Sequence, residues 1–195
     1  ESPERLALNK EQPHAIFYSF ADATTARKVL PENSSYWMSL NGDWKFNWAP
    51  DPDKRPKDFY RTDYDVNGWD EIPVPSSWNI YGVQKDGSLK YGTPIYVNQP
   101  VIFQHKVAVD DWRGGVMRTP PANWTTFKDR NEVGSYRRDF IVPASWDGRE
   151  VFINFDGVDS FFYLWINGHY VGFSKNSRNL ASFNITPYLV KGKNV

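Results

Sequence analysis

Residues 151–178 constrain the fold more than any other part of the chain, because they alternate with a period of two over three consecutive segments. Val151, Ile153 and Phe155 fall on one face of the first segment, and Phe152, Asn154 and Asp156 on the other. Asp156-Gly157 is a turn signal, and Phe161 to Ile166 reads as a second strand. Both faces of that strand are apolar, with Phe162, Leu164 and Ile166 on one side and Phe161, Tyr163 and Trp165 on the other. Such a strand is expected to be covered on both sides. Asn167-Gly168 tolerates φ > 0 at both central positions, so it predicts a two-residue type I′ hairpin returning through His169 to Phe173. The strand leaves into Ser174-Lys175-Asn176-Ser177-Arg178, a polar loop at the sheet end, the kind of place where function concentrates.

The rest of the chain repeats this pattern with longer interruptions. Residues 1–35 are broken by Pro3, Pro13 and Pro31 and read as an irregular arm, with one short helix expected between Asp22 and Leu30. Leu40-Asn41-Gly42-Asp43 is a turn, and the next strand places Trp44, Phe46 and Trp48 on one face. Residues 49–67 read as loop. Residues 69–78 contain Pro73 and Pro75, which confine this segment to a sheet edge or an extended crossing. Residues 79–94 form a Gly-rich loop, and Ile95 to Gln99 is short and extended before Pro100. Residues 104–133 are long for a loop and read as a functional or interface insertion. Gly134 to Val142 is expected to be one strand, with Tyr136, Phe140 and Val142 facing in and a paired Arg138 between them. Phe183 to Ile185 is a brief strand, Thr186-Pro187 reads as an N-cap followed by proline at the first helical position, and Gly192 to Val195 reads as a turn feeding a further strand. The expected organisation is therefore an N-terminal arm, 1–35, and one all-β domain, 36–195, truncated before its last strand. The fold class is a jelly-roll β-sandwich, galactose-binding-domain-like.

Composition removes several function classes. Lys plus Arg and Asp plus Glu each total 23, without a basic stripe, so neither nucleic acid nor an acidic membrane is an expected partner. No apolar run approaches the roughly 20 residues of a transmembrane helix. The absence of Cys excludes disulfides and thiolate metal sites. His14, His105 and His169 are isolated, with His169 expected at the surface, whereas a metal site needs convergent ligands. No signal peptide is read; residue 1 is Glu, so the start is either a processed end or a cloning boundary, and the compartment stays open. Aromatic residues make up 17% of the chain, which suits a sandwich core and also suits platforms for sugar rings.

Five blocks resemble a known family in the family's order. They are Leu40-Asn41-Gly42-Asp43-Trp44-Lys45-Phe46, Pro73-Val74-Pro75-Ser76-Ser77-Trp78, Pro94-Ile95-Tyr96-Val97-Asn98, Gly134-Ser135-Tyr136-Arg137-Arg138, and Phe155-Asp156-Gly157-Val158 through Gly172-Phe173-Ser174-Lys175-Asn176-Ser177-Arg178. Together they are similar to the N-terminal sugar-binding domain of β-galactosidases of glycoside hydrolase family two. Arg5-Leu6-Ala7-Leu8-Asn9 fits that branch better than the glucuronidase or mannosidase branches. The resemblance implies a full-length hydrolase that cleaves terminal β-D-galactosides with retention. In it, this domain precedes immunoglobulin-like domains and a catalytic barrel, and the whole forms a homo-oligomer with Na⁺ and Mg²⁺ as cofactors.

Retaining hydrolysis needs two carboxyl groups about 5 Å apart, one acting as acid/base and one as nucleophile. No stretch here offers such a pair on neighbouring strand ends, so no catalytic residue is expected in this chain. Asn131-Glu132 echoes the family's acid/base pair, but it precedes a β-strand and so lacks the required context. The resemblance carries over two substrate-binding positions. Asn98 matches an amide of the galactose subsite, able to donate and accept at a sugar hydroxyl. Asn176 stands where well-known members have Asp, which touches the galactose 6-hydroxyl and a monovalent cation. The amide keeps a neutral oxygen and loses the charge, so only a weak cation contact is expected. For each, the structural alternative is an amide that satisfies local backbone. Trp78, Trp112 and Trp124 could stack on a sugar or pack on a neighbouring domain, and packing is favoured. Other readings of the chain are a free-standing carbohydrate-binding module, or an assembly domain of a related β-glycosidase (glucuronidase or mannosidase).

Overall fold

The computed structural model describes residues 4–92, 132–175 and 177–195. Among them, ten strands run in chain order: β1 Ala7–Leu8, β2 Gly42–Ala49, β3 Asp70–Val74, β4 Val133–Arg137, β5 Phe140–Ile141, β6 Phe152–Phe155, β7 Phe162–Ile166, β8 His169–Ser174, β9 Ala181–Asn184 and β10 Lys193–Asn194. Every strand pairing is antiparallel. The helices are single turns, α1 Ala23–Ala26 and α2 Trp78–Tyr81. The chain divides into two compact units, one of Glu1–Leu40, Tyr60–Asp65 and Arg138–Val195, the other of Asn41–Phe59 and Val66–Arg137.

The first unit is a two-layer sandwich. A sheet of order β1-β8-β7 faces the β6-β9 ribbon. Val151 and Ile153 point inward as their alternation requires, and they meet Leu164, Ile166, Val171 and Phe183 in one buried cluster. The hairpin turn has Asn167 at φ 51° and Gly168 at φ 84°, both left-handed, as the Asn-Gly pair predicts. Asn167 has a second role. Its backbone N–H donates to Val195 O at 2.8 Å, and its Oδ1 accepts from Val195 N at 2.9 Å. Its Nδ2 donates to Asn194 Oδ1 at 2.7 Å. Asn194 is 1% exposed, and its amide is bonded further to Val190 and Gly192 backbone. β1 lies against β8 because Gly172 has no side chain; a Cβ there would collide with the Leu8 carbonyl oxygen.

Three expectations need correction in this unit. Among the described residues the outer side of β7 is covered at Trp165, on which Tyr60 stacks, but not farther along: Phe161 is 39% exposed and Tyr163 53%. The strand expected over 134–142 is two strands, because β4 pairs with β2 while β5 pairs with β10. Thr186 is not an N-cap. It begins a 3₁₀ turn, Thr186–Tyr188, and its hydroxyl accepts from Val151 N at 2.8 Å. The expected short helix is present, capped by Asp22, whose carboxylate accepts from Thr25 N at 2.8 Å.

The second unit contains the sheet β3-β2-β4. Pro73 is accommodated because β3 is an edge strand, paired only with β2 among the described residues. Phe46, fully buried at the centre, is ringed by Trp78 at 5.8 Å, Tyr91 at 5.0 Å and Tyr136 at 4.8 Å between centroids. Trp78 lies directly over Gly134, where a Cβ would stand 2.6 Å from the indole.

Candidate functional site

Asn98 and Asn176, the two positions expected to bind substrate, lie outside the described residues, as do His105, Trp112, Trp124, Asn131 and all of the 104–133 insertion but its last two residues. The structure does describe the chain on either side of them. Before Asn176, Lys175 N donates to Leu6 O at 2.9 Å, tying the end of β8 to the arm. After it, Arg178 adopts φ 65°, and its Nε stands 3.7 Å from Asp159. A Cβ on Gly157 would make ordinary contact with Arg178 Cα at 3.4 Å, so the Asp-Gly turn lies beside this loop. Beside the loop, Lys10, Glu11, Gln12 and His14 of the arm border a depression of about 260 Å³ with Asn179, Leu180 and Ser182.

Glu132 has a structural position. Its carboxylate accepts from Asn79 Nδ2 at 3.2 Å, and the same amide nitrogen donates to Tyr91 O at 3.0 Å. The carboxylate fills the space where a side chain on Gly92 would be, and Gly92 sits at φ 71°. Gly92 and Glu132 thus stand side by side, with Asn79 joining Glu132 to the Tyr91 carbonyl. Nearby, the Asp70 carboxylate accepts from Lys90 Nζ at 2.6 Å and from Tyr91 Oη at 2.8 Å. The hydrogen bond from Lys90 is the main cause that holds Asp70 below the usual carboxylate range, against an opposing effect of burial.

Among the described residues no three His, Cys, Asp or Glu side chains converge as metal ligands. His14 is exposed beside Ala15 O, and His169 is exposed at the hairpin tip beside the Tyr188 ring. Trp78, read from the sequence as the end of an edge strand or extended crossing, opens α2 and is half-buried against Phe46. No helix among the described residues is long and apolar enough to cross a membrane.

The aromatic outer face of the β7-β8 hairpin, expected to be covered, is an organised surface with Phe161, Tyr163 and Tyr170 exposed. Its signal was present in the alternation of Phe161, Tyr163 and Trp165.

The architecture is all-β, an antiparallel sandwich of the jelly-roll class. Residues 37–195 match the family described as glycosyl hydrolases family 2, sugar binding domain. The chain belongs to glycosyl hydrolase family 2, and the part of the family it carries is that domain. It is similar to the β-galactosidase of Priestia megaterium, 35% identical over 193 residues that cover 99% of this chain and 17% of the relative. It is 36% identical over 189 residues to the β-galactosidase of Halalkalibacterium halodurans, covering 97% of this chain and 16% of that one. Against the β-galactosidase large subunit of Lactobacillus helveticus it is 33% identical over 199 residues, covering 97% and 28%. The chain therefore spans less than a third of each of these relatives. Among solved structures, a calcium-binding mutant of Bacteroides uniformis β-glucuronidase 2 superposes with a TM-score of 0.50 at 20% identity, over 80% of this chain and 14% of that one. That likeness shows the fold alone.

Proposed function

We propose that this chain is the N-terminal, non-catalytic part of a longer β-galactosidase that hydrolyses terminal non-reducing β-D-galactosides with retention. The observation that carries this reading is the alignment of essentially the whole chain with curated β-galactosidases, 99% of it in one case at 35% identity. The two carboxyl groups of a retaining mechanism belong, on this reading, to polypeptide beyond this chain. The contribution of these residues is a wall of the galactose subsite. Asn98 and Asn176 offer amides that donate to and accept from sugar hydroxyls. A neutral amide at 176 attracts a cation less than a carboxylate does, so Na⁺ dependence is weaker than in an enzyme with Asp there. The full-length enzyme takes Na⁺ and Mg²⁺ and assembles as a homo-oligomer with the rest of its own chain as this domain's first partner.

The test is turnover by the full-length protein on a panel of nitrophenyl β-galactoside, β-glucuronide and β-mannoside. The galactoside is expected to be the preferred substrate, and replacing Asn98 or Asn176 by Ala is expected to raise KM. Preference for another sugar, or unchanged kinetics in both variants, rejects the corresponding part of the proposal.

A further inference from the structure

The arm crosses from one layer of the first unit to the other beside the loop that joins β8 to β9. Leu6 O accepts from Lys175 N at 2.9 Å, and Ala7 and Leu8 pair with Ser174 and Phe173 along the edge of β8. The arm then turns at Asn9, which adopts φ 55°, in the left-handed region that asparagine tolerates better than most side chains. The Asn9 Nδ2 donates to Val171 O at 2.8 Å and so holds the corner against β8. Beyond the corner, Glu11 N donates to Ser182 O at 2.9 Å, on β9. Lys10, Glu11, Gln12 and His14 border the depression that Asn179 and Leu180 of the loop also line.

One short stretch of arm therefore grips the 175–182 segment at both ends. Lys175 is held by Leu6 and Ser182 by Glu11, and Asn9 is the bend that lets a single strand reach both. Between these points lies the Arg178–Asp159 pair, whose side chains are mostly exposed, and such a pair adds little in water. A loop held at its ends has fewer conformations to lose when a ligand orders it, which strengthens binding without any new contact. We infer that Asn9 is a positioning residue for galactoside binding: by bending the arm it fixes both ends of the 175–182 segment, and so sets the amide at 176 for a sugar hydroxyl. This rests on the reading of Asn176 as an amide of the galactose subsite. Asn9 acts through the loop and not on the sugar, so it belongs to ground-state and transition-state binding alike and shows in KM rather than kcat.

The experiment is a double-mutant cycle in the full-length protein, with nitrophenyl β-galactoside as the substrate and amide exchange at residues 177–182 as a second readout. Asn9→Ala loses both the left-handed preference and the side-chain bond. It is expected to raise KM about 3- to 10-fold, with kcat changed by less than about twofold, and to speed that exchange. Asn9→Gly keeps the bend and loses only the bond, so its effect is smaller, and it carries the cycle if Asn9→Ala fails to fold. In an Asn176→Ala background the Asn9 substitution is expected to add no further rise in KM, because the two residues act as one unit. The same fold-rise in both backgrounds overturns the inference, since the arm then acts elsewhere. Unchanged KM in both Asn9 variants, with a raised KM in Asn176→Ala, overturns it while the functional reading stands. Exchange at 177–182 that matches the native protein in both Asn9 variants overturns it as well. An unchanged KM in Asn176→Ala alone rejects the subsite reading, and the inference falls with it.

Discussion

The two units use the same residue class in opposite ways. The first buries aliphatic side chains around Phe183 and turns Phe161, Tyr163 and Tyr170 outward. The second puts Phe46 at its centre and packs Trp78, Tyr91 and Tyr136 around it. A high aromatic content therefore means two things in one chain. Where rings converge on a buried ring they provide specific geometry, because offset and edge-on pairs add to simple area burial. Where they share the outer side of a hairpin they form a surface. The difference arises from strand position. β2 has a neighbour on each edge and rings over it, whereas the β7-β8 hairpin has packing on its inner side.

The largest expected effects test whether the ring geometry of the second unit matters. Phe46→Ala and Phe183→Ala should each cost about 3–5 kcal/mol of unfolding free energy, since both remove a fully buried ring. Phe46→Leu and Phe183→Leu separate the units. Leu keeps most of the volume, so Phe183→Leu should be milder, losing one ring pair, with Phe162 at 6.0 Å, while Phe46→Leu loses its pairs with Trp78, Tyr91 and Tyr136, worth about 0.5–1.5 kcal/mol each. Equal losses in denaturant titrations would mean that the second core is apolar filling like the first.

A smaller effect comes from Tyr136, whose phenol is pushed up to about 12 by burial. The fold favours the neutral phenol, so this contribution is complete below the ordinary tyrosine value near 10 and is lost as pH rises from 10 toward 12. The difference amounts to about 2–3 kcal/mol. Unfolding free energies measured across that window should fall in the native protein and fall less in Tyr136→Phe. Identical slopes would show that Tyr136 is not shielded as described.

The smallest expected effects compare two close approaches. A Cβ on Gly134 would press on the Trp78 indole, and one on Gly172 on the Leu8 carbonyl oxygen. Each alanine variant should cost about 1–3 kcal/mol by overpacking. The readouts differ. Gly134→Ala should shift tryptophan fluorescence, while Gly172→Ala should release β1 and speed amide exchange at residues 6–11. An unaltered exchange pattern in Gly172→Ala would show that β1 does not depend on that contact.

What could be read from the sequence was what depends on near neighbours. The left-handed turn at Asn167-Gly168 was legible because positive φ is a local property. The inward face of Val151 and Ile153 was legible because period two sorts side chains without knowledge of the partner strand. The same period cannot say what lies over the other face, so the Phe161, Tyr163 and Trp165 row was read as covered. The break between β4 and β5 is hidden because the period of two runs on through Tyr136, Arg138, Phe140 and Val142; the change of partner, from β2 to β10, divides them. Thr186-Pro187 gave a local capping signal, overridden by the need of the Val151 N–H for an acceptor. The candidate site was legible only by resemblance. A subsite amide such as Asn98 or Asn176 has the same chemistry as any loop asparagine, and spacing along the chain does not distinguish them.

The clamp at Asn167 has a consequence for how the molecule is made. The ribosome releases the β7-β8 hairpin before the residues that its turn amide will grip, and Val195 lies 28 positions downstream of Asn167. At about 5–20 residues per second, the nascent hairpin waits roughly 1–6 seconds with that amide solvated. Closure of this end of the molecule is thus timed by the arrival of residues 194 and 195.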